Sequence, residues 1–284
     1  MEVKLKAYAK INLTLDLTGV LPDRYHGIFT CMQSVGLFDQ INIRNGGNGI
    51  ELRCSEKYIP CDERNTAFKA ARIFFEKAGI EPSCSIYIKK VIPSGAGLAG
   101  GSADAAAVLK GLSELYPGRL SHKDLMSAAL SVGADVPFCY LGGTRLCQNI
   151  GEVMSSLPPL ISNVLIVKPY ERVSTKDAYA RFDSASDIIH PDNTSFLYYA
   201  AKGEYKDAVK FASNMFENLS DVKSGELIKE TMLHSGAWFA SMSGSGSAYF
   251  GLFDNKEDAY ACAELLKEKT ESVFVTSTKN RGIE

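Results

Sequence analysis

The feature that most constrains this 284-residue chain is a glycine-rich segment over residues 93–104 that runs directly into an alanine-rich stretch. Four of its twelve residues are glycine, and glycine adopts positive φ and lets the backbone approach a ligand closely. Upstream, residues 84–92 alternate as a strand does. Because free N–H groups at the start of a helix attract anions, this strand, loop and helix predict a phosphate-binding site.

Two common nucleotide motifs do not describe this segment. No Gly-Lys-Ser/Thr closes it as in a Walker loop, and its glycine spacing differs from the dinucleotide fingerprint. The alternative is a flexible connector between a strand and a helix. The glycines, together with a serine at the start of the helix, favour the phosphate site over the connector.

Charge and composition exclude several classes of function. Thirty-one basic and thirty-three acidic residues leave a net charge of −2 without a basic cluster, so a nucleic-acid-binding surface is not expected. The first residues lack the apolar core of a signal peptide, and no run of eighteen apolar residues occurs. We therefore expect a soluble cytoplasmic protein that binds neither nucleic acid nor membrane and is a monomer or a weak homodimer.

The cysteines and histidines indicate neither a disulfide framework nor a metal site. The seven cysteines include no Cys-x-x-Cys pair, and the four histidines are scattered along the chain. We therefore expect reduced thiols and predict no metal-ligating residues. Any metal ion would arrive with a nucleotide.

Hydrophobic patterning predicts an α+β chain in two halves. The texture changes near residue 158, which predicts an N-terminal domain over 1–157 and a C-terminal domain over 158–284. Asn65 or Thr66 is expected to cap a helix that ends at Gly79. Helices are predicted over 65–78, 102–115, 121–132, 205–216, 225–235 and 256–270. Strands are predicted over 3–17, 34–43, 85–92, 164–168, 247–253 and 273–276.

Three polar residues in apolar surroundings are candidates for chemistry. Lys10 and Asn12 are two positions apart, so a strand places both side chains on one face. The equally favoured alternative is a pair of solvent-facing residues on an edge strand. Asp135 stands among small and apolar residues after a predicted helix, which suits a carboxylate in a pocket of low dielectric. The alternative for Asp135 is a turn or helix-capping residue.

Two further segments are candidates for ligand contacts. Residues 241–247 form a second loop of serine and glycine that suits close backbone approach to a phosphate or substrate oxygen, although an ordinary tight turn has the same composition. Tyr25 and His26 lie in a predicted turn, where an aromatic pair can stack on a flat base. The alternative for this pair is packing within the turn.

Three of these segments, in this order, resemble the signatures of the kinase family named for galactose, homoserine, mevalonate and phosphomevalonate, the GHMP kinases. They are Ala9-Lys10-Ile11-Asn12-Leu13, the loop of 93–107 and the loop of 242–249. Shorter words resemble one branch of the family, and they span most of the chain: 9–13, Arg24-Tyr25-His26-Gly27, 65–67, 133–138 and 151–152.

The resemblance implies a fold and an activity. The expected fold joins an N-terminal nucleotide-binding domain like ribosomal protein S5 to a ferredoxin-like C-terminal domain, with the active site in the cleft between them. The expected reaction transfers the γ-phosphoryl group of ATP, whose phosphates Mg²⁺ bridges, to a tertiary 2-hydroxyl group. Its acceptor is a cytidyl diphosphate sugar alcohol of the non-mevalonate isoprenoid precursor pathway.

The family pattern also implies residue roles. Asp135 would be the catalytic base, Lys10 its partner, and Asn12 would orient the acceptor. Asn65 and Lys90 would lie near the adenosine. The phosphates would be wrapped by Pro93, Gly95, Gly97, Leu98, Ala99, Gly100, Gly101, Ser102 and Ala103. The cytidyl substrate would contact Tyr25, His26, Thr175, Tyr179, Gly244 and Gly246.

The chain departs from the family pattern at two places. Ala103 stands where the loop usually has a second serine, so one hydroxyl contact is lost while the backbone cradle remains. Residues 144–150 are bulkier than the small residues typical of the family before Gly151. The alternatives are a mevalonate or homoserine kinase, which the base-stacking pair opposes, and a catalytically silent nucleotide-binding protein, which the retained Lys10 and Asp135 oppose.

Overall fold

The computed structural model describes residues 1–22, 25–186 and 188–284. The strands are β1 (Glu2–Val20), β2 (His26–Asn45), β3 (Gly49–Cys54), β4 (Ser83–Lys89), β5 (Thr144–Asn149), β6 (Val153–Ser156), β7 (Asn163–Lys168), β8 (Phe239–Met242), β9 (Tyr249–Phe253) and β10 (Ser272–Lys279). The helices are α1 (Thr66–Ala78), α2 (Gly100–Leu115), α3 (His122–Val132), α4 (Val136–Leu141), α5 (Thr175–Ser184), α6 (Asn193–Ala200), α7 (Tyr205–Ala208), α8 (Met215–Asn218), α9 (Gly225–His234) and α10 (Lys256–Leu266). Arg24 of the resemblance segment lies outside the described residues.

One sheet runs through both halves of the chain. Its strand order is β3-β4-β2-β10-β7-β9-β8, with β1 and β5 also paired to β2 and β6 paired to β5. Strand β10 joins the halves because it pairs with β7 along most of its length and with β2 at Thr278. The last residues return to β1, where the Lys6 N–H donates to Glu284 O. The α+β prediction is confirmed, and the division at residue 158 stays a prediction.

The long ribbon of β1 and β2 carries the first two site residues. Its antiparallel register shifts between Tyr8 and Lys10 and again between Asn12 and Thr14. Such irregularities increase the local twist and redirect side chains. The backbone N–H of Lys10 leaves the ribbon and donates to Leu98 O at 3.1 Å. The glycine loop is thereby tied directly to the part of β1 that holds Lys10 and Asn12.

Helix α2 lies close against this ribbon because its packing face is built from small residues. The buried side chains include Ala103, Ala105, Ala106 and Ala107. A Cβ added at Gly111 would lie 2.6 Å from Cδ1 of Ile43 on β2, so a larger residue there would displace the Ile43 side chain. The predicted helix caps are confirmed for α1: Asn65 accepts from the Ala67 N–H, and Gly79 ends the helix with φ of 64°.

The predicted helix over 205–216 is wrong. That segment forms α7, a short 3₁₀ turn at Val209–Phe211, an extended stretch, and then α8. The stretch is extended because Ser213 O accepts the Leu15 N–H of β1 at 2.8 Å, so tertiary pairing overrides local helical preference. Patterning also did not predict β3, β5, β6, β8, α4, α5 or α6. In the described part of the chain, none of the helices has the length and apolar character needed to cross a membrane.

Candidate active site

A cleft of about 590 Å³ lies where the two glycine loops meet. It brings together most of the predicted site residues: Lys10, Asn12, Lys90, Pro93, Gly95, Gly97, Leu98, Ala99, Gly100, Gly101, Ser102, Asp135, Thr175, Tyr179, Gly244 and Gly246. Asn65, Ala103, Tyr25 and His26 do not line it. The cleft also has apolar walls that the sequence analysis did not anticipate, among them Ile28, Ile150 and Phe216.

The glycine loop ends in an uncapped helix. Gly95 and Gly97 have φ of 63° and 75°, and Ala99, the residue before α2, is left-handed with φ of 57°. Ala99 provides no side-chain cap for α2. The N–H groups of the first helical turn therefore face the cleft as donors for an anion. Ala103 lies one turn further on, where its N–H already donates to Ala99 O at 2.9 Å.

The two glycine loops touch each other directly. Ser243 Oγ donates to Gly97 O at 2.9 Å, and a Cβ added at Gly97 would overlap the backbone oxygen of Ser243. A Cβ added at Gly244 would lie 3.2 Å from Lys10 Nζ. Asn214 holds this second loop by donating to Met242 O at 2.7 Å and Gly244 O at 2.9 Å. The contact between the loops therefore depends on glycine at both sides.

Lys10 and Asp135 form the polar centre of the cleft. Lys10 Nζ donates to Asn12 Oδ1 at 2.7 Å and lies 3.9 Å from Asp135 Oδ2. The Asn12 amide is oriented from the other side, because its Nδ2 donates to Thr30 Oγ1 at 2.8 Å. The shared face predicted for Lys10 and Asn12 is confirmed by this contact. Both residues are buried, so the alternative of a solvent-facing pair is wrong.

Asp135 stands at the N-cap position of α4 but makes no side-chain capping bond there. Its side chain is 35% exposed, whereas that of Lys10 is 5% exposed. Asp135 therefore occupies a helix-capping position, as one alternative predicted, but its side chain does not form the capping hydrogen bond. The carboxylate is left facing the cleft beside a buried ammonium, which suits a base that exchanges a proton with a bound ligand.

Lys90 belongs to a buried charge cluster beneath the glycine loop. Its ammonium contacts Asp39 Oδ2 and lies 2.9 Å from Asp104 Oδ2. Asp39 Oδ1 also accepts the N–H groups of Val91 and Ile92, which is why β4 ends at Lys89 and the predicted strand to residue 92 is too long. Burial alone would lower the pKa of Lys90, but the two carboxylates outweigh it and the pKa is raised.

Asp104 is the least satisfied member of this cluster. Its Oδ1 is buried without a hydrogen-bond partner, and burial, aided by the charge of Asp39, raises the pKa of this carboxyl to about 8. Neither carboxylate was predicted from the sequence. For Asp39 a signal existed, because it takes an inward position in the alternation of Leu37, Ile41 and the other buried residues of β2. A charge at an inward position requires a buried partner.

Asn65 caps helix α1. Its amide accepts from the Ala67 N–H at 2.8 Å and donates to Pro60 O at 2.7 Å, so both of its ends are used within α1 and the turn before it. The next residue, Thr66, lines the cleft instead and donates to Gly101 O at 2.6 Å. A role for Asn65 near a nucleotide stays a prediction.

An aromatic cluster lies at the far end of the cleft. The ring centroids of His26 and Tyr179 are 4.9 Å apart, and those of Tyr179 and Phe216 are also 4.9 Å apart. Thr175, one helical turn before Tyr179, contacts Ser245 Oγ at 2.9 Å. The predicted proximity of His26 and Tyr179 is thus present, while Phe216 was not anticipated because it comes from α8, which the sequence analysis placed in a continuous helix.

This combination of an uncapped helix, two touching glycine loops and a Lys–Asp pair defines a phosphoryl-transfer class of site. Two family models match the chain: "GHMP kinases N terminal domain" over residues 65–143 and "GHMP kinases C terminal" over residues 223–271. These two matches, together with curated relatives that are similar over nearly the whole chain, show that the chain belongs to the GHMP kinases.

Among curated relatives, a 4-diphosphocytidyl-2-C-methyl-D-erythritol kinase of Clostridium kluyveri is 43% identical over 277 residues, covering 96% of this chain and 99% of the relative. A crystal structure of 4-(cytidine 5'-diphospho)-2C-methyl-D-erythritol kinase superposes with a TM-score of 0.77 at 30% identity, covering 98% of this chain and 99% of that one. The resemblance to this branch, stated from sequence motifs, is confirmed by these relatives.

Homoserine kinase from Cytophaga hutchinsonii superposes with a TM-score of 0.78 at 21% identity, covering 100% of this chain and 96% of that chain. At that identity the likeness concerns the fold alone. Structural similarity therefore identifies the fold of the family without separating its branches, and the separation comes from sequence identity.

Proposed function

We propose that the chain transfers the γ-phosphoryl group of ATP to the 2-hydroxyl group of 4-diphosphocytidyl-2-C-methyl-D-erythritol, in the non-mevalonate isoprenoid precursor pathway. The relatives that carry this name support the substrate. The observation that carries the chemistry is the contact of Lys10 Nζ with Asp135 Oδ2 at 3.9 Å beside the uncapped start of α2.

In the proposed reaction, Asp135 accepts the proton of the acceptor hydroxyl. The hydroxyl oxygen forms a bond to the γ-phosphorus while the bond from that phosphorus to the β,γ-bridging oxygen breaks, and ADP leaves. Lys10 stabilises the negative charge that develops between acceptor and phosphate. Asn12, held by Thr30, orients the acceptor. These contributions are positioning and electrostatic stabilisation, which dominate catalysis of phosphoryl transfer.

We assign the triphosphate to residues 93–103. The first N–H groups of α2 bind phosphate oxygens, and Gly97 allows the second loop to close over them through Ser243 and Gly244. We assign Lys90 and Asn65 to the adenosine side of the site. Lys90 contacts Asp39 and Asn65 caps the start of α1, and these contacts set the shape of the loop.

Mg²⁺ is part of this proposal as an ion that arrives with the nucleotide. Within the described ranges, no group of three or more His, Cys, Asp or Glu side chains is placed to hold a metal. Mg²⁺ is usually held by substrate phosphates and one or two protein oxygens. Ser102, which lies at the start of α2 and lines the cleft, is the oxygen donor we assign to it. When bound, the ion neutralises charge on the phosphates.

The cytidyl end of the acceptor is assigned to the aromatic cluster, with Tyr25, His26 and Tyr179 contacting the base and Thr175 near the diphosphate. Gly244 and Gly246 close over the diphosphate from the second loop. We further propose that the protein works in the cytoplasm as a monomer or a weak homodimer, with ATP and the cytidyl compound as its small-molecule partners.

A substrate panel tests the proposed function. Purified protein with Mg-ATP is expected to phosphorylate the cytidyl compound and to leave mevalonate and homoserine unchanged, because neither offers a base to the aromatic cluster. Asp135→Asn is expected to abolish turnover while nucleotide binding, measured by calorimetry, stays intact. Turnover of homoserine or mevalonate alone would replace this proposal with the corresponding kinase. Nucleotide binding without turnover of any acceptor would indicate a silent binding protein.

A further inference from the structure

The segment of residues 213–217 connects strand β1 to the second glycine loop. At its start, Ser213 O accepts the Leu15 N–H of β1 at 2.8 Å. The next residue, Asn214, is buried and donates through Nδ2 to Gly244 O at 2.9 Å. The segment is therefore attached on one side to the strand that carries the lysine of the active site, and on the other side to the loop that faces this lysine.

Glu217 provides a second, charged attachment between this segment and the loop. Its Oε2 accepts the Met242 N–H and the Ser241 hydroxyl, both at 2.8 Å. Its Oε1 lies 2.6 Å from Lys229 Nζ of α9, and the glutamate side chain is only 13% exposed. Burial alone would lower the pKa of Lys229, but its contacts with Glu217 and Glu226 outweigh burial and the pKa is raised. Hydrogen bonds to an ionised carboxylate are about twice as strong as those between neutral groups, so this contact fixes the base of the loop.

The tip of the same loop lies against the ammonium group of Lys10. A Cβ added at Gly244 would lie 3.2 Å from Lys10 Nζ and 3.0 Å from Gly97 O. Lys10 Nζ in turn lies 3.9 Å from Asp135 Oδ2. Because Gly244 is only two residues beyond Met242, a displacement at the base of the loop changes the packing around this ammonium group.

We propose that Glu217 is a positioning residue for phosphoryl transfer, which holds the second glycine loop where it keeps Lys10 beside Asp135. This inference rests on the proposed function, in which Lys10 stabilises the charge that develops during transfer. Glu217 does not line the cleft, so it acts through the loop. In the described part of the chain it forms no hydrogen bond with residues 93–103, to which we assign the triphosphate. Its effect therefore falls on the catalytic step, which depends on the position of charged groups, and not on nucleotide binding.

The test compares Glu217→Met with the matched control Glu226→Met. Both replacements remove a carboxylate that pairs with Lys229, but the Glu226 side chain is 74% exposed and only Glu217 is hydrogen-bonded to the loop. Glu217→Met is expected to lower kcat for the cytidyl acceptor about tenfold, with the Kd for ADP from calorimetry unchanged. Glu226→Met is expected to keep the kcat of the parent protein. Glu217→Gln is expected to recover most of the lost kcat, because its amide oxygen still accepts the Met242 N–H.

Hydrogen–deuterium exchange of residues 240–248 provides the second measurement, because Glu217 accepts the Met242 N–H. Exchange in this segment is expected to be faster in Glu217→Met and unchanged in Glu226→Met. A Glu217→Met protein with the kcat of the parent and only a lower unfolding temperature would show a purely structural role and overturn the inference. Weakening of ADP binding by the same factor as kcat would also overturn it.

A milder variant covers the case in which Glu217→Met does not fold. Ser241→Ala removes one of the two hydrogen bonds from the loop to Glu217 and leaves the ion pair with Lys229 in place. It is expected to lower kcat about threefold, and the kcat of the parent would overturn the inference. If the parent protein does not phosphorylate the cytidyl acceptor, the proposed function fails instead. The exchange comparison then decides whether Glu217 holds the loop.

Discussion

Replacing Lys10 with methionine tests the centre of the cleft. The side chain keeps most of its length and loses the charge that lies 3.9 Å from the Asp135 carboxylate. At an effective dielectric constant of about 20, the attraction across that distance is about 4 kcal/mol. Solvent reaches the carboxylate, which is 35% exposed, so we discount the attraction to about 2 kcal/mol. If Lys10 stabilises the developing charge to that extent, kcat falls about 30-fold.

The assay is steady-state turnover of the cytidyl acceptor with Mg-ATP, with thermal unfolding as a check on folding. Methionine at this position no longer buries a charge, so we expect the variant to remain folded. Lys6→Met is the matched control, since Lys6 lies on the same strand with a side chain that is 47% exposed and paired with Glu284. A Lys10→Met protein with the kcat of the Lys6→Met control would refute the role assigned to Lys10.

Two other predictions concern the glycine loop and the buried charge cluster. Gly95→Ala has only the cost of a left-handed backbone conformation, about 1 kcal/mol, whereas the Cβ of Gly97→Ala also overlaps Ser243 O. Gly97→Ala should therefore have the lower unfolding temperature and the higher KM for ATP. Equal effects of the two substitutions would contradict the contact between the loops. Burial raises the pKa of Asp104 from 3.8 to about 8. Between these values the folded protein keeps a proton that the unfolded chain releases, so this residue's contribution to stability falls as pH rises. Asp104→Asn should reduce this loss of stability, measured as the difference in the free energy of unfolding by urea between pH 5 and pH 8. An equal difference in the parent protein and the variant would contradict the prediction.

Local features of the fold were predictable where short-range chemistry decides them. Asn65 at the start of α1 and Gly79 at its end are confirmed, because a capping bond and a left-handed residue depend on a few neighbouring positions. The shared face of Lys10 and Asn12 was likewise predictable from the two-residue period of a strand. The break at residues 212–214 was not, because it depends on pairing with Thr14 and Leu15 of β1.

The sequence by itself determined the chemistry that this protein carries: a glycine-rich phosphate loop, a second glycine loop, a lysine and an aspartate, in the order typical of the GHMP kinases. Only the tertiary structure decided how these parts act on one another. In that structure Gly97 accepts a hydrogen bond from Ser243, and Lys90 forms ion pairs with Asp39 and Asp104. The imidazole of His26 contacts the carboxylate of Asp183. Residue type and local period report the properties of one segment, whereas hydrogen bonds and ion pairs between distant segments exist only once the sheet and its helices have brought those segments together.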